Sequence, residues 1–261
     1  MPTLTLLLVA PLLVLVIWAA GVLIATEFGV PAVNLNPFRR VLAVFPHADD
    51  ETVSCGGTLR RLSAGGATVT LVVLTHGERG TRDGSVSADL ARVRASEARQ
   101  AAELLGVSEL VQADLGDGRL GSRRDDLAAL LEGTLARTEP DLVITYDRAG
   151  LYGHEDHVVC SEVLTEAVRR HRPETRLWYV TLPRRAQAFV PLPEALRKRR
   201  SAPTHRVLVG AQLQAKTRAL LAHRSQRRPS WLLLSTLPFE HFAAVSTPPQ
   251  DSSSTRRNAP R

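Results

Sequence analysis

The apolar and polar positions of the chain alternate in a way that predicts strands separated by helices. Short apolar runs rich in Val, Ile and Leu predict strands at 41–45, 68–74, 109–113 and 141–145. Helical periodicity predicts helices at 51–64, 87–105 and 123–137, and another that ends near Arg170. Weaker patterns predict strands at 177–182 and 206–209 and a helix at 210–222. Such alternation is typical of an α/β fold with a Rossmann-like, mostly parallel sheet sandwiched by helices.

The N-terminal segment is apolar and contains no charged residue between positions 3 and 25. As a helix it extends roughly 34 Å, which is enough to cross a bilayer core of about 30 Å. A cleaved signal peptide fits less well, because no Lys or Arg precedes the run and Leu23 is large for a position before cleavage after Ala25. The sequence therefore predicts an N-terminal transmembrane helix, and Arg39 and Arg40 behind it favour a cytoplasmic position for the following domain.

Charged side chains follow the first predicted strand directly after Pro46. They are His47, Asp49, Asp50 and Glu51. In a parallel α/β sheet, ligands bind in the crevice at the carboxyl ends of the strands. Two adjacent carboxylates in such a crevice must be neutralised, protonated or bound to a metal. A divalent metal held by His47 and one of the aspartates, with the other aspartate left free as a base, satisfies all of these groups.

A second polar cluster, residues 152–157, follows the fourth predicted strand. It contains Tyr152, His154 and His157, with Asp156 between the histidines. One imidazole can face a metal while the other faces a substrate, and Asp156 can hold a ring through its second nitrogen. Alone, this pattern is typical of a polar loop. At the same edge of the sheet as His47, it predicts a catalytic zinc site of two histidines and one carboxylate with open coordination positions.

Composition and charge narrow the class of protein. The chain has 261 residues, a formal net charge of +7 and two cysteines, which are too few for a disulfide framework. The basic excess is concentrated at 184–206 and in the last residues, and it suits the anionic headgroups of a membrane surface. No nucleic-acid motif with interleaved aromatic residues is present, so nucleic acid is not an expected partner.

Four segments of different composition follow one another along the chain. They are a transmembrane anchor at 1–25, a juxtamembrane linker at 26–39, an α/β domain at 40–245 and a Ser-, Pro- and Arg-rich tail at 246–261 that is predicted to be disordered. The third segment has the length of one α/β domain and can bury a sizeable core.

The motifs resemble those of the PIG-L/LmbE family of zinc-dependent N-acetylglucosaminide deacetylases. The family's His-Pro-Asp-Asp-Glu box corresponds to HADDE at 47–51, and its Gly-His-Pro-Asp-His box corresponds to GHEDH at 153–157. Its late His-x-Ser-Gln motif corresponds to HRSQ at 223–226. Ala48 and Glu155 each replace a proline of the family pattern. Neither position supplies a ligand, so the metal-binding residues are intact. The resemblance implies the LmbE-like fold.

The resemblance also implies the residues of a metal centre. His47, Asp50 and His157 would be the ligands of Zn²⁺, although Fe²⁺ suits the same set. Asp49 would be the general base that takes a proton from the metal-bound water, whose pKa zinc brings near neutrality.

Further roles are implied around this centre. His154, held by Asp156, would be positively charged, so that it stabilises the oxyanion and protonates the leaving amine. Tyr152 would help to polarise the acetyl carbonyl. Arg94 and Asp117 resemble residues that bind the sugar or its aglycone.

The resulting expectation is a membrane-anchored hydrolase that removes an N-acetyl group from an N-acetylglucosamine-containing substrate. That substrate would be a lipid-linked glycan or a soluble thiol precursor. Two alternatives remain open. One is a zinc amidase that acts on another amide, such as a thiol conjugate. The other is a non-catalytic, membrane-anchored protein with a structural metal site.

Overall fold

A computed structural model of the chain describes residues 2–81, 83–228 and 236–245, with side chains from residue 12 onward except Val14. The strands are β1 (Arg40–Phe45), β2 (Thr68–Val73), β3 (Glu109–Gln112), β4 (Leu142–Tyr146), β5 (Arg176–Val180), β6 (His205–Leu208) and β7 (Phe239–Val245). The helices are α1 (Pro2–Ile24), α2 (Asp50–Ala64), α3 (Ala88–Leu105), α4 (Arg124–Thr138), α5 (Gly150–Gly153), α6 (Glu155–His171), α7 (Arg184–Gln187), α8 (Glu194–Arg197) and α9 (Leu213–Ala222). Short 3-10 turns lie at Leu120–Arg123, Gly210–Gln212 and Arg224–Gln226.

The described strands form one seven-stranded sheet in the order β3-β2-β1-β4-β5-β7-β6. The first five strands in this order are parallel, and β7 is antiparallel to both β5 and β6. Strand β1 lies inside the sheet between β2 and β4, and its residues after Arg40 are all buried because both faces of the sheet are covered. The predicted Rossmann-like, mostly parallel sheet is confirmed. The loops after β1, β2, β3 and β4 leave the sheet at one edge.

Two hydrophobic cores lie on the two faces of the sheet. On one face, α2, α3 and α9 pack together around Phe45, Leu59 and Leu105. On the other face, α4 and α6 pack around Leu131 and Leu164. All five side chains are inaccessible to solvent. Burial of this kind stabilises a domain by about 1.5–3 kcal/mol per large aliphatic side chain, and it gives the loops at the sheet edge a rigid base.

Helix α2, which begins within the first motif, is kinked at Cys55. Beyond the kink, the backbone N–H groups of Gly57 and Thr58 donate to the carboxylate of Glu240 in β7 at 2.9 and 2.7 Å. Because the helix begins again after the kink, these N–H groups have no acceptor within the helix. Lys216 Nζ balances the carboxylate at 2.7 Å. This buried ion pair fixes the direction of α2 across the sheet.

The sequence pattern does not predict β7 or the short helices α7 and α8. Strand β7 carries two buried polar residues, Glu240 and His241, within its apolar run. Their partners are distant in the sequence: Glu240 binds the backbone of α2, and His241 Nε2 accepts the N–H of Glu27 at 3.0 Å. A local sequence pattern cannot show that these polar groups have hydrogen-bond partners in distant parts of the chain. The pattern therefore does not predict a buried strand here.

The N-terminal segment is the helix α1, but the predicted membrane span is not supported. Among the residues that the structure describes, no helix is sufficiently long and apolar to span a bilayer. The prediction of a single-pass membrane protein with a tethered cytoplasmic catalytic domain is therefore wrong. The expected membrane contact at 184–206 loses its support with it.

Residues 26–39, which are predicted as a linker, pack against the α/β domain. Leu35 and Phe38 are buried, and the Phe38 ring meets the Trp178 ring edge-on at 5.1 Å. The N–H of Val33 donates to the carbonyl of Arg206 in β6 at 3.0 Å. The predicted disordered tail, 246–261, lies outside the described residues.

Candidate metal centre and active site

The two predicted site motifs meet at the carboxyl edge of the sheet. His47 and Asp50 lie directly after β1, and His157 lies in the first turn of α6, beyond β4. Because β1 and β4 are parallel neighbours, both loops leave the sheet at the same edge. The three residues are nearly inaccessible to solvent, with exposed fractions of 8%, 6% and 0%. The structure therefore brings together the three residues that are predicted as metal ligands.

Three donor atoms of these residues lie at almost equal distances from one another. His47 Nδ1 is 3.2 Å from Asp50 Oδ2, His157 Nε2 is 3.3 Å from the same oxygen, and the two nitrogens are 3.4 Å apart. The ligand atoms of a tetrahedral zinc ion, bound at about 2.0–2.1 Å, are about 3.3–3.4 Å apart. The trio thus has the spacing of one face of a zinc coordination tetrahedron.

Two other trios of donor atoms among the described residues lie within 4.8 Å of one another. One joins His47, His154 and His157, and the other joins His47, Asp117 and Asp156. Both share His47 with the tighter trio, so they belong to the same polar centre. We favour the trio that contains Asp50, because its three distances match metal coordination.

The charges around His47 make this centre attractive to a cation. Burial opposes a charge on the imidazole, but hydrogen bonds to Asp117, Asp156 and Asp50 raise the pKa of His47 well above its ordinary value of 6.5. Burial likewise opposes ionisation of Asp50, but the adjacent His157 and His47 hold its pKa well below the ordinary value. A site that favours a proton between several carboxylates also favours a divalent cation in its place.

His47 is fixed on its other side by two carboxylates. Its Nε2 lies 3.1 Å from Asp117 Oδ1 and 3.3 Å from Asp156 Oδ2. Asp156 is fully buried and also accepts two backbone N–H groups of the loop after β3, at 2.7 and 3.2 Å. A proton on Nε2 leaves Nδ1 as the nitrogen that can bind a metal. The side chain of Asp156 therefore contacts His47, and not the ring of His154 as the resemblance implies.

Tyr146, at the end of β4, is a site residue that the sequence analysis misses. Its hydroxyl donates to Asp50 Oδ1 at 3.0 Å and accepts a hydrogen bond from Ser54 at 2.9 Å. Its ring stacks on the ring of His157 at 4.4 Å. One side chain thus orients two of the three candidate ligands. Its position as the last residue of a buried strand at the site edge is the sequence signal that could have identified it.

Asp49 lies beside the trio and has a strained backbone. Its φ of 117° is one that residues other than glycine rarely adopt. Glu51 Oε2 accepts its N–H at 3.1 Å, and an Arg94 nitrogen lies 3.7 Å from its Oδ1. Burial, together with the charge of Asp50, raises the pKa of Asp49 to about 7. A carboxylate with a pKa near neutrality suits a general base.

Glu51 is held in turn by the late motif at 223–226. Its Oε1 accepts the hydroxyl of Thr52 at 2.5 Å and lies 3.4 Å from His223 Nε2. Burial opposes ionisation of Glu51, but the pairing with His223 lowers its pKa. Nearby, Glu97 of α3 accepts the N–H and the hydroxyl of Ser225 at 2.9 and 2.6 Å. The late motif therefore contacts Glu51, which in turn holds the backbone of Asp49.

His154 and Tyr152 lie on the outer side of the centre. The His154 ring is 4.9 Å from the rings of both His47 and His157. Its Nδ1 accepts the backbone N–H of Asp156 at 3.3 Å, so a neutral ring carries its proton on Nε2. Burial and the two neighbouring histidines lower the pKa of His154, which opposes the positive charge that the resemblance implies. Tyr152 is 50% exposed, with its ring 4.9 Å from that of His157.

Arg94 and Asp117, which are predicted to contact the substrate, are buried, with exposed fractions of 4% and 7%. Arg94 donates to the carbonyl of Ala48 at 2.7 Å and to that of Gly77 at 3.3 Å. These bonds tie the loop after β1 to the loop after β2. The contacts that the structure shows for both residues are internal ones.

The chain is similar in sequence to one family of known proteins. The family described as "PIG-L: GlcNAc-PI de-N-acetylase" matches residues 42–168. A 1D-myo-inositol 2-acetamido-2-deoxy-alpha-D-glucopyranoside deacetylase from Saccharomonospora viridis is 32% identical over 226 residues, which cover 71% of this chain and 84% of that relative. The chain belongs to the PIG-L family. The predicted family is thus confirmed, and both main motifs, at 47–51 and 153–157, lie within the matched range.

A second relative is matched over about half of its own length. A diacetylchitobiose deacetylase from Thermococcus kodakarensis is 38% identical over 125 residues, which cover 47% of this chain and 46% of that relative. The chain spans about half the length of several curated PIG-L relatives that it matches. Both relatives are named as deacetylases, in agreement with the predicted enzyme class.

Solved structures of similar proteins share the fold of this PIG-L chain. The N,N'-diacetylchitobiose deacetylase of Pyrococcus horikoshii has a TM-score of 0.60 and 24% identity, covering 80% of this chain and 85% of that one. The 4-carboxy-2-hydroxymuconate hydratase GalB of Pseudomonas putida has a TM-score of 0.64 and 19% identity, covering 79% and 96%. The second protein carries out a different reaction, so the fold alone does not determine the chemistry. The side chains of the site must do so.

Proposed function

We propose that this chain is a zinc-dependent N-deacetylase that hydrolyses the acetamide of an N-acetylglucosamine-containing substrate. The observation that carries the proposal is the nearly equilateral trio of His47 Nδ1, Asp50 Oδ2 and His157 Nε2. The neighbouring Asp49 has a carboxyl group whose pKa is raised by burial and by the charge of Asp50. A structural zinc site is closed by four protein ligands, whereas three protein ligands leave a position open for water or substrate. A trio with an adjacent free carboxylate suits hydrolysis.

The donor set suits zinc. Two imidazole nitrogens and one carboxylate oxygen are a usual ligand set of catalytic zinc, and the free cysteines, Cys55 and Cys160, are not among the donors. Fe²⁺ accepts the same ligands, so the metal content of the purified protein distinguishes the two ions. When bound, zinc would polarise the acetyl carbonyl and lower the pKa of a water molecule to near 7.

Asp49 would accept the proton of the attacking water. It is adjacent in sequence to Asp50, and the contacts with Glu51 and Arg94 fix both its backbone and its carboxylate. The proton that it takes would then pass to the amine as the C–N bond breaks, which leaves acetate and a free amino group. Proton transfers of this kind contribute about 10²–10⁴-fold to a rate.

His154 and Tyr152 would bind the carbonyl oxygen as it becomes negative. His154 Nδ1 is occupied by a backbone N–H, so its Nε2–H is the donor that is left for the substrate. The half-exposed Tyr152 adds a phenolic hydroxyl at the same side of the centre. Donors directed at a developing oxyanion are worth about 2.7–4 kcal/mol each.

The names of the relatives support an acetylated glucosamine as the substrate. The Saccharomonospora viridis relative is named for a 2-acetamido-2-deoxyglucopyranoside of inositol, and the Thermococcus kodakarensis relative for diacetylchitobiose. Both names describe an acetamido sugar. The expectation of a lipid-linked substrate depends on the predicted membrane anchor. Because the structure does not support that anchor, this expectation loses its basis.

The test is release of acetate by the purified full chain from N,N'-diacetylchitobiose and from an N-acetylglucosaminyl inositol. We expect release that stops after chelation and returns with zinc. Asp49→Asn should lower kcat by about 10²–10⁴-fold while the protein still binds about one zinc ion per chain. Asp114→Asn, an exposed residue of the loop after β3, is the matched control. Full activity of Asp49→Asn, or of the metal-free protein, would contradict the proposal.

A further inference from the structure

The turn that carries Tyr152 has a strained backbone. Leu151, the residue before it, has φ and ψ values of 61° and −63°, which residues other than glycine rarely adopt. Gly150 and Gly153, which flank this pair, also have positive φ values, of 66° and 88°. The turn packs closely against a candidate metal ligand, because a Cβ placed on Gly150 would lie 2.9 Å from the Cβ of His157. A strained turn persists only where other groups hold it, so the direction of Tyr152 depends on what holds Leu151.

Asp147, the residue directly after β4, holds this turn. It is 1% exposed, and its Oδ1 accepts the N–H of Ala149 at 3.2 Å and the N–H of Leu151 at 3.1 Å. Its backbone carbonyl accepts the N–H of Gly150 at 2.8 Å. Three consecutive N–H groups of the turn therefore have their acceptors on one residue. Hydrogen bonds from backbone N–H groups to a carboxylate are stronger than those between neutral groups, so Asp147 is suited to maintain the strain.

The other carboxylate oxygen of Asp147 holds a different part of the chain, the segment 184–201. This segment lies between β5 and β6 and contains α7 and α8. Oδ2 of Asp147 accepts the N–H of its last residue, Ser201, at 3.0 Å. The carbonyl of Ser201 accepts the side-chain N–H of Gln187 at 3.1 Å, and Arg200 donates to the carbonyl of Gln187 at 2.7 Å. Asp147 therefore fixes the point at which this folded segment returns to the sheet.

The segment 184–201 passes directly beside the turn. A Cβ placed on Gly153 would lie 2.7 Å from Leu192 Cδ2 and 3.4 Å from Leu196 Cδ1, so a larger residue would not fit there without movement. The turn and the segment are thus packed together at Gly153, and the two oxygens of one carboxylate hold both. Loss of this carboxylate would release both parts of the chain at once.

We propose that Asp147 is a positioning residue for the reaction, which sets the direction of Tyr152 and fixes the segment 184–201 beside it. Asp147 is too deeply buried to contact the substrate, so it acts through Tyr152. The inference rests on the proposed function, in which the Tyr152 hydroxyl meets the carbonyl oxygen of the acetyl group. A displacement of about 1 Å in such a contact can lower a rate by about 10²-fold.

A positioning role and a merely structural role of Asp147 predict different measurements. A merely structural residue changes the stability and leaves the kcat of the folded protein unchanged. A positioning residue lowers kcat in the folded protein. KM should change little, because the contact between Tyr152 and the oxyanion forms in the transition state. Zinc content should stay as in the wild-type chain, because Asp147 makes no contact with the three candidate ligands.

The two oxygens of Asp147 can be tested separately. Asp147→Asn keeps one acceptor oxygen and replaces the other with an NH₂ group, which cannot accept an N–H. The remaining oxygen should face Ala149 and Leu151, because on this side it satisfies two N–H groups instead of one. We therefore expect Asp147→Asn to retain most of the wild-type kcat and to lose the contact with Ser201. Asp147→Ala loses both contacts.

The experiment measures kcat and KM for N,N'-diacetylchitobiose at saturating zinc, and the hydrogen–deuterium exchange of peptides that contain residues 148–153 and 184–201. In Asp147→Ala we expect kcat to fall by about 10- to 100-fold and exchange to be faster in both peptides. In Asp147→Asn exchange should be faster mainly in 184–201. Asp141→Ala is the matched control, because Asp141 Oδ2 accepts the N–H groups of residues 39 and 40 at 2.8 and 3.2 Å, at the other end of β4. It should lower stability and keep the wild-type kcat.

The proposal is overturned if folded Asp147→Ala loses no more kcat than Asp141→Ala. If Asp147→Ala does not fold, as judged by circular dichroism, Asp147→Asn decides the question, and wild-type exchange in both of its peptides overturns the proposal. Failure of the proposed function is a separate result, because there the wild-type chain itself releases no acetate. Hydrogen–deuterium exchange requires no turnover, so it tests the hold of Asp147 on the two parts of the chain in either case.

Discussion

Glu51 holds the backbone of Asp49 in its strained conformation. Its Oε2 accepts the Asp49 N–H at 3.1 Å, and the φ of Asp49 is 117°. A conformation of this kind costs about 1–3 kcal/mol and persists only where the surroundings enforce it. The acidic residue that ends the first motif therefore has a defined task, which is to keep the neighbouring carboxylate beside the metal ligands.

Replacement of Glu51 should therefore lower turnover without removing the metal. In Glu51→Ala the N–H of Asp49 loses its acceptor, and we expect kcat to fall by about 10- to 100-fold, because small misplacements of a reacting group are costly. Zinc content should stay as in the wild-type chain. Glu51→Gln keeps an acceptor oxygen and should retain more activity than Glu51→Ala. A wild-type kcat in Glu51→Ala would contradict this role, and Glu103→Ala, on the exposed side of α3, serves as the control.

Tyr146→Phe should weaken metal binding and leave the fold intact. The change removes the hydroxyl that donates to Asp50 Oδ1 at 3.0 Å but keeps the ring that stacks on His157. We expect zinc affinity to fall by about tenfold and the free energy of unfolding by about 0.5–1.5 kcal/mol. Tyr179→Phe is the matched control, because its buried hydroxyl contacts Thr165, away from the site. Equal zinc affinities of the two variants would count against an orienting role for Tyr146.

The buried pair of Lys216 and Glu240 should be important for stability when only one partner is removed. Both side chains are almost fully buried, and Lys216 Nζ lies 2.7 Å from Glu240 Oε1. Lys216→Met leaves a buried charge without its counterion, which typically costs about 3–5 kcal/mol. The double change Lys216→Met, Glu240→Gln should restore part of this loss. Urea unfolding measures both, and Lys198→Met in the exposed pair with Glu194 should cost less than about 1 kcal/mol.

The sheet and most of its helices can be predicted from the sequence because their signals are local. Helix α3 shows this clearly: Ser87 accepts the N–H of Leu90 at its start, and Gly106 ends it with a φ of 73°. Both residues act within one turn of the helix, so the sequence pattern alone identifies them. The motifs at 47–51 and 153–157 are likewise compact, and a parallel sheet brings the ends of neighbouring strands together.

Other features depend on contacts between distant parts of the chain and are not visible in the pattern. Tyr146 becomes a site residue because Asp50 and His157 approach it from two different loops. The sequence analysis gives Asp117 as a residue that binds the substrate, and only the structure shows that its carboxylate lies 3.1 Å from His47 Nε2. Strand β7 is a similar case, since its polar groups are satisfied by α2 and by residue 27.

His241 should make the fold less stable in mildly acidic solution. Its Nε2 accepts the N–H of Glu27 at 3.0 Å, which requires that nitrogen to be unprotonated. Burial, together with the charges of Arg206 and His205, lowers the pKa of His241 from 6.5 to about 4. The unfolded chain therefore binds more protons than the folded chain between these two pH values. The stability that His241 contributes is complete above about pH 6.5 and is lost as the pH falls towards 4.

The measurement is urea unfolding of the full chain at pH 7 and pH 5. We expect His241 to account for about 1–2 kcal/mol of the stability lost between these pH values. His241→Gln keeps an acceptor for the N–H of Glu27 but cannot take up a proton, so its loss of stability should be smaller by that amount. His171→Gln, on the exposed side of α6, is the control and should show the wild-type loss. If His241→Gln loses as much stability as the wild-type chain, the neutral imidazole of His241 is not what makes the fold sensitive to acid.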